Sequence, residues 1–248
     1  MGDLRRSELM ASTPLRIVEH YVSTQGEGPR VGYLTQFVRF AGCNLKCALW
    51  PCDSQFAIDP KLYREEQKPF WPKELVAQIK QHRQLTGATN VCFTGGEPFL
   101  QNNDALLETV RLMRDEEAHW EAFTNGTLEI PEKLFDLGLE PVMDWKLPGS
   151  GEPTWLVQRS RNLRRMSNFG VGTVKFTIAN EEDFNVALQV WEALVQDSGV
   201  QVFAGPVWDK PGAWGATDIV DLIKKHKVSW RLNIQVHNFI YGAQTRGT

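Results

Sequence analysis

Apolar positions along this chain follow two different periods. Short β-rich runs recur at RIVEHYV (16–22), QFVRFA (36–41), NVCFTG (90–95), WEAFTN (120–125), PVMDWKL (141–147), TVKFTI (173–178), VQVFAG (200–205) and RLNIQVH (231–237), and each reads as a strand. Between them the spacing stretches to three and four residues. Pro72 stands where a first helical residue would, ahead of Leu75, Val76 and Ile79 on one face. Leu106, Leu107, Val110 and Met113 form a second stripe, and Phe184, Leu188, Trp191 and Val195 a third. A fourth helix carries Ile219, Leu222 and Ile223, with Thr217 placed to cap it. Strands alternating with amphipathic helices predict βαβ units and a mostly parallel sheet, hence an α/β fold. Segment 55–70 shows neither period and reads as a long loop. No linker or repeat divides the chain, so the expectation is one domain over residues 15–248 behind an N-terminal tail, residues 1–14.

The unusual segments fall behind strands: GCNLKCALWPCDS after 36–41, TGGEP after 90–95, TNGT after 120–125 and KLPGSG after 141–147. In parallel α/β folds the loops leaving the C-terminal strand ends converge, and ligands collect there. Four such loops on one edge predict a single site. TQGEGPRVG (24–32) resembles a dinucleotide fingerprint only on the surface. Gly26, Gly28 and Gly32 are mis-spaced, Pro29 interrupts them, and a strand follows instead of a helix, so no helix N-terminus is offered to a phosphate. It reads as a turn between two strands.

Composition narrows the function further. The net charge is -3 and no Lys/Arg run exceeds a pair, which excludes the basic face of a nucleic-acid binder. No apolar stretch approaches a membrane span. The opening MGDLRRSELMASTP lacks the apolar core of a signal peptide, so a reducing, cytoplasmic setting is expected.

Three of the four cysteines, Cys43, Cys47 and Cys52, lie within ten positions. In a reducing compartment such crowding points to metal or redox chemistry more than to disulfides. A structural zinc site needs four ligands, and no histidine is nearby in sequence to complete one, although a distant one would serve. Cys92, flanked by Val91 and Phe93, reads as a buried core thiol. Three thiolates would leave one iron of a 4Fe-4S cluster without a protein ligand, open to a reacting molecule.

These residues resemble the radical S-adenosylmethionine (SAM) enzymes, whose cluster loop is usually CxxxCxxC and whose glycine-rich motif matches TGGEP. Here the spacing is CxxxCxxxxC, with Trp50 standing where the last cysteine usually falls. The run RIVEHYVSTQGEG…FVRFAGCNLKC is similar to the 7-carboxy-7-deazaguanine synthase family, and the resemblance continues to the C-terminus. It implies a partial, modified (β/α) barrel and conversion of 6-carboxy-5,6,7,8-tetrahydropterin to 7-carboxy-7-deazaguanine with loss of ammonia. It implies a 4Fe-4S cluster on Cys43, Cys47 and Cys52, with SAM against Pro51, Asp53, Gly95, Gly96, Glu97, Asp144, Trp145, Lys146 and Pro206. Thr24, Gln25, Gly26, Glu27, Arg39, Thr94 and His237 would meet the pterin, Arg39 through the substrate carboxylate. Ser54, where the family has threonine, would ligate Mg²⁺. A flavodoxin- or ferredoxin-like electron donor and a homodimer are also implied. The chain departs from the family at Phe123 (Glu in ETNGT), at Asp144 and Trp145 (Ser-Pro before the lysine) and at Gly205 (Gln before Pro206). Two rivals stand beside this reading: a radical-SAM activase of a glycyl-radical partner, which has no use for the QGEG turn or Arg39, and a zinc-stabilised binding module.

Overall fold

The computed structural model describes residues 13–50, 52–153, 156–208, 210–242 and 246–247. Residues 1–12 of the expected tail, and Pro51, lie outside the described residues. Nine strands are described: β1 (Leu15–Thr24), β2 (Leu34–Phe40), β3 (Lys68–Phe70), β4 (Asn90–Gly95), β5 (His119–Thr124), β6 (Leu139–Trp145), β7 (Thr173–Ile178), β8 (Gln201–Pro206) and β9 (Arg231–Leu232). They form one sheet in the order β3-β1-β2-β4-β5-β6-β7-β8-β9. From β2 onward every neighbour runs parallel, whereas β1 is antiparallel to both β2 and β3. β3 and β9 end the order unpaired with each other, so the sheet curves into a partial barrel and does not close.

The helices are α1 (Gln55–Ile58), α2 (Pro60–Tyr63), α3 (Pro72–Thr86), α4 (Asn103–Arg111), α5 (Glu132–Asp136), α6 (Leu156–Phe169), α7 (Glu181–Val190), α8 (Ala216–His226) and α9 (Val236–Tyr241). The period-two alternation of the strands divides the sheet into two faces. One face sends Val38, Phe40, Phe93, Trp120, Met143, Trp145, Val174 and Phe176 into a core with Leu75 and Ile79 of α3, Leu106 and Val110 of α4, and Leu163 and Met166 of α6. Each such buried side chain contributes about 1.5–3 kcal/mol relative to exposure. The concave face carries Phe37, Arg39, Cys92, Thr94, Phe123, Asp144, Lys175 and Thr177, which line a cavity of about 300 Å³. That division explains why TVKFTI and NVCFTG alternate apolar with polar residues although both lie in mid-sheet.

Four expectations change. Segment 55–70 is not one loop: it holds α1, α2 and the edge strand β3, where Asp59 caps α2 by accepting from the Lys61 amide at 2.8 Å. RLNIQVH keeps only Arg231–Leu232 as strand. Beyond it the Asn233 backbone lies against Gly205 of β8, where a Cβ would fall 1.9 Å from the Asn233 oxygen, and the chain turns into α9. Thr217 does not cap α8: Gly215 does, its amide donating to the Asp218 carboxylate at 2.8 Å. Cys92 is buried and free, but its strand position turns it to the concave face and the cavity rather than the apolar core. The third helical stripe holds, with Trp191–Val195 continuing α7 as a π-helical turn.

Candidate active site

Parallel pairing sets the concave residues in rows across the strands. Cys92 lies beside Phe37 and Glu121, Arg39 beside Thr94, and Asp144 beside Lys175. The β1–β2 turn folds over the lower rows instead of projecting into solvent. Gly28 has φ +71°, and a Cβ there would lie 3.5 Å from the Phe123 ring. Its amide donates to Asn233 Oδ1 at 2.9 Å, and the Gly26 carbonyl accepts from the Val236 amide at 3.0 Å. His237 lies so close that a Cβ on Gly26 would sit 2.0 Å from its Nδ1. Turn and C-terminal segment together close the gap that the open sheet leaves. Thr24, Gln25, Gly26, Glu27 and His237 therefore line one end of the cavity.

Gln25 points down, donating from Nε2 to the Glu121 carboxylate. Burial pushes Glu121 up to about 7, and Gln25 and Arg30 only partly offset that. Glu27 is gripped twice: Lys175 donates to Oε2 at 3.0 Å and Asn233 to Oε1 at 3.4 Å. Lys175 also lies 3.2 Å from Asp144 Oδ2, and Lys146 lies 2.9 Å from the same oxygen. A run of alternating charge, Glu27–Lys175–Asp144–Lys146, thus crosses the cavity floor. Burial alone raises the Asp144 carboxyl, but Lys146 and then Lys175 outweigh it and hold it at about 2. For Lys175 burial opposes the charge, yet Asp144 and Glu27 drive its pKa above the ordinary lysine value. Lys175 has a sequence signal in retrospect: one cation inside an apolar strand with no partner on its own strand.

At the other end Cys43, Cys47 and Cys52 all face the cavity. Among the described residues no three His, Cys, Asp or Glu side chains converge closely enough for a single metal ion. The cysteine loop is braced. Cys43 Sγ accepts from the Leu45 amide at 3.4 Å and from Asn125 Nδ2 at 3.8 Å. Cys47 adopts φ +46°, a left-handed conformation rare for a residue with a Cβ, and Glu152 holds it there by accepting from the Lys46 and Cys47 amides, both at 2.7 Å. Burial pushes each of the three thiols up to about 11, while the Lys146 ammonium pulls each the other way and so favours thiolate. Sulfur-directed donors, three thiols facing one cavity and a nearby cation fit a 4Fe-4S cluster. The widened spacing also has a use. Trp50 is buried against Ala179 and Val207, with the Lys146 ammonium 5.3 Å from its ring centre. The extra residues let that indole form a wall while Cys52 returns to the cavity.

TGGEP supports this loop more than it touches a ligand. A Cβ on Gly96 would lie 1.8 Å from the Gly42 carbonyl oxygen, and one on Gly95 2.4 Å from the Phe40 nitrogen. The Glu97 amide donates to that same Gly42 oxygen at 2.8 Å. The Glu97 side chain sits behind the wall, fully buried, accepting from Thr124 Oγ1 at 2.7 Å, the Asn125 amide at 2.8 Å and the Phe99 amide at 3.2 Å. What the turn presents to the cavity is Thr94, Gly95 and Gly96. Trp145 likewise turns into the core on the opposite face from Asp144 and Lys146, because alternation sends neighbouring residues to opposite sides. Pro206 and Asp53 line the cavity. Among the described residues Asp144 Oδ1 is buried with no hydrogen-bond partner. The sequence reading gave no role to Asn125, which ties the TNGT turn to Cys43 and to Asn44 Oδ1 at 3.0 Å, or to Arg159 of α6, which clamps the Asn125 carbonyl at 3.1 Å and the Lys146 carbonyl at 3.3 Å.

Arg39 stands between the two ends. It pairs with Glu19 at 3.1 Å, donates to Tyr21 Oη at 2.9 Å and to Ser54 Oγ at 2.8 Å, and lies 5.4 Å from the Phe56 ring centre. Burial opposes its charge, but Tyr21 and Asp53 raise its pKa. Ser54 in turn donates to Asp53 Oδ1 at 3.1 Å.

Comparison with known proteins agrees with this arrangement. Residues 24–133 match the 4Fe-4S single cluster domain family. By fold, the chain is similar to QueE from Escherichia coli, with a TM-score of 0.70 and 20% identity, covering 93% of this chain and 98% of that one. It is also similar to Streptococcus suis SuiB bound to S-adenosylmethionine, with a TM-score of 0.51 and 14% identity over 77% of this chain and 47% of that one. In sequence it is 30% identical to the 7-carboxy-7-deazaguanine synthase of Hyperthermus butylicus, covering 92% of this chain and 93% of the relative. It is 31% identical to that of Clostridium acetobutylicum, covering 94% of this chain and 98% of the relative. Likeness sustained from end to end, over a cavity with a cysteine loop at one end and the QGEG turn at the other, places the chain in the 7-carboxy-7-deazaguanine synthase family.

Proposed function

We propose that this protein is a radical SAM lyase that converts 6-carboxy-5,6,7,8-tetrahydropterin to 7-carboxy-7-deazaguanine and ammonia, a step of deazapurine biosynthesis. The observation that carries the reading is that three free thiols and the QGEG turn open onto one cavity of about 300 Å³. When bound, the cluster and SAM supply a radical able to take hydrogen from a ring carbon. The protein's own residues hold, orient and exclude water. Cys43, Cys47 and Cys52 would carry the cluster. Gly95, Gly96, Asp53, Asp144, Lys146 and Pro206 would border SAM. Glu27 and Gln25 would read the amino-amide edge of the pterin, Thr94 and His237 would border it, and Arg39 would grip its carboxylate.

Glu97 and Trp145 act in this reading from behind the wall, by holding the Asn125 turn and the core. The magnesium that the resemblance attaches to Ser54 belongs to the same proposal, with the Asp53 carboxylate beside that hydroxyl. A flavodoxin- or ferredoxin-like donor, a homodimer and a cytoplasmic setting belong to the same proposal, the last because free thiols on a cavity and iron need reducing surroundings. Among the described residues no helix is long and apolar enough to cross a membrane.

Anaerobic reconstitution tests the reading. A brown protein that, with SAM and reductant, releases ammonia and 7-carboxy-7-deazaguanine without consuming SAM supports it. A brown protein that leaves the pterin intact favours the activase, and a colourless one with bound zinc favours the binding module.

A further inference from the structure

The proposed chemistry assigns no task to Lys175, yet it lies between two carboxylates on the cavity floor. Register on β6 and β7 sets it beside Asp144, and its ammonium lies 3.0 Å from Glu27 Oε2 and 3.2 Å from Asp144 Oδ2. Glu27 comes from a turn far away in sequence, and a carboxylate on a turn has rotamers to choose among. Lys175 removes that choice on one oxygen and Asn233 on the other, so the lone pairs left over point in a fixed direction. Phe123 lies beneath, 5.9 Å from the ammonium, with nothing on it to compete for the charge.

Resting on the reading above, we infer that Lys175 is a positioning residue that aims the Glu27 carboxylate at the donor edge of the substrate, and thereby sets the preference for a 2-amino-4-oxo ring over one lacking the amino group. A carboxylate held in place makes charge-assisted hydrogen bonds to the ring N–H and the amino group; a loose one loses directional discrimination.

The test is anaerobic calorimetry on cluster-loaded enzyme without SAM, titrating 7-carboxy-7-deazaguanine and its counterpart without the 2-amino group. Wild type is expected to prefer the amino compound by about 10- to 100-fold, the yield of one charge-assisted hydrogen bond. Lys175→Met is expected to bring that ratio below about threefold, and Lys175→Arg, which can still bridge two carboxylates, to restore most of it. If Lys175→Met fails to take up its cluster because two carboxylates are left facing each other, the Lys175→Met/Asp144→Asn pair removes that repulsion and should show the same collapsed ratio. A variant without the lysine that keeps the wild-type ratio overturns the inference. Wild-type turnover of the pterin is scored separately, so a failure of the enzymatic reading is not mistaken for a failure of Lys175.

Discussion

Gly96→Ala is the most exacting check on how the cysteine loop is held. The added Cβ would fall 1.8 Å from the Gly42 oxygen and 2.4 Å from its carbon, and real Cβ contacts stay beyond 3.0 Å. The Gly42 carbonyl and residue 96 must therefore separate by at least 1.2 Å, the difference between 3.0 and 1.8 Å. The clash is with backbone on both sides, so no side chain can swing away. The same oxygen accepts from the Glu97 amide at 2.8 Å, and a shift of that size stretches the bond past its useful range. Losing a buried backbone bond costs about 1–3 kcal/mol, and overpacking adds about 1–3 kcal/mol, giving a loss of about 2–6 kcal/mol. That is a large part of a stability of about 5–15 kcal/mol, and it falls on the residue next to Cys43. The assay is iron and sulfide per chain after anaerobic reconstitution, with the thermal midpoint alongside. Gly87→Ala is the control: its φ of +76° also penalises a side chain, but nothing lies within 4 Å. It should lower stability by about 1–2 kcal/mol and leave the cluster content unchanged. A Gly96→Ala protein with full iron and the wild-type midpoint would refute the claim that TGGEP clamps the loop.

Three further outcomes follow from the same geometry. Cys43→Ala, Cys47→Ala and Cys52→Ala should each abolish the visible absorbance of the cluster, whereas Cys92→Ser and Trp50→Phe should keep it; loss in the Trp50 variant with retention in Cys52→Ala would reverse the ligand assignment. Asp144, with a folded pKa of about 2 against 3.8 unfolded, stabilises the fold above that unfolded value and stops doing so as the pH falls toward 2. The stability gap between wild type and Asp144→Asn should accordingly narrow by about 2 kcal/mol in acid, measured by denaturant melts, and a gap that stays constant with pH contradicts the pairing with Lys146 and Lys175. Gly205→Gln, the residue common in the family, should expel the C-terminal segment, since a Cβ would lie 1.9 Å from the Asn233 oxygen; faster proteolysis after residue 232 and weaker binding of 7-carboxy-7-deazaguanine are expected, and unchanged protection would count against the packing described.

Much of this protein is legible in one dimension. The strand and helix periods placed seven of the eight expected strands, because each is a local pattern of burial that alternation or a 3.6-residue repeat records. The three thiols and the loops behind the strands were equally visible, since parallel topology brings every C-terminal strand end to one edge. What chain order could not carry were contacts between residues far apart in it. Nothing in QGEG announces that Lys175, 148 positions later, anchors Glu27, or that Asn233 and His237 pack on that turn. Glu97 and Trp145 looked like ligand contacts because they adjoin residues that line the cavity. Tertiary structure turned both inward, one into three hydrogen bonds and the other into the apolar core. Residue types and spacing settled which chemistry was available, because metal ligation and strand burial depend on local composition. Only folding decided which polar groups had lone pairs left to spend on a ligand, because that depends on which distant partners reach them first.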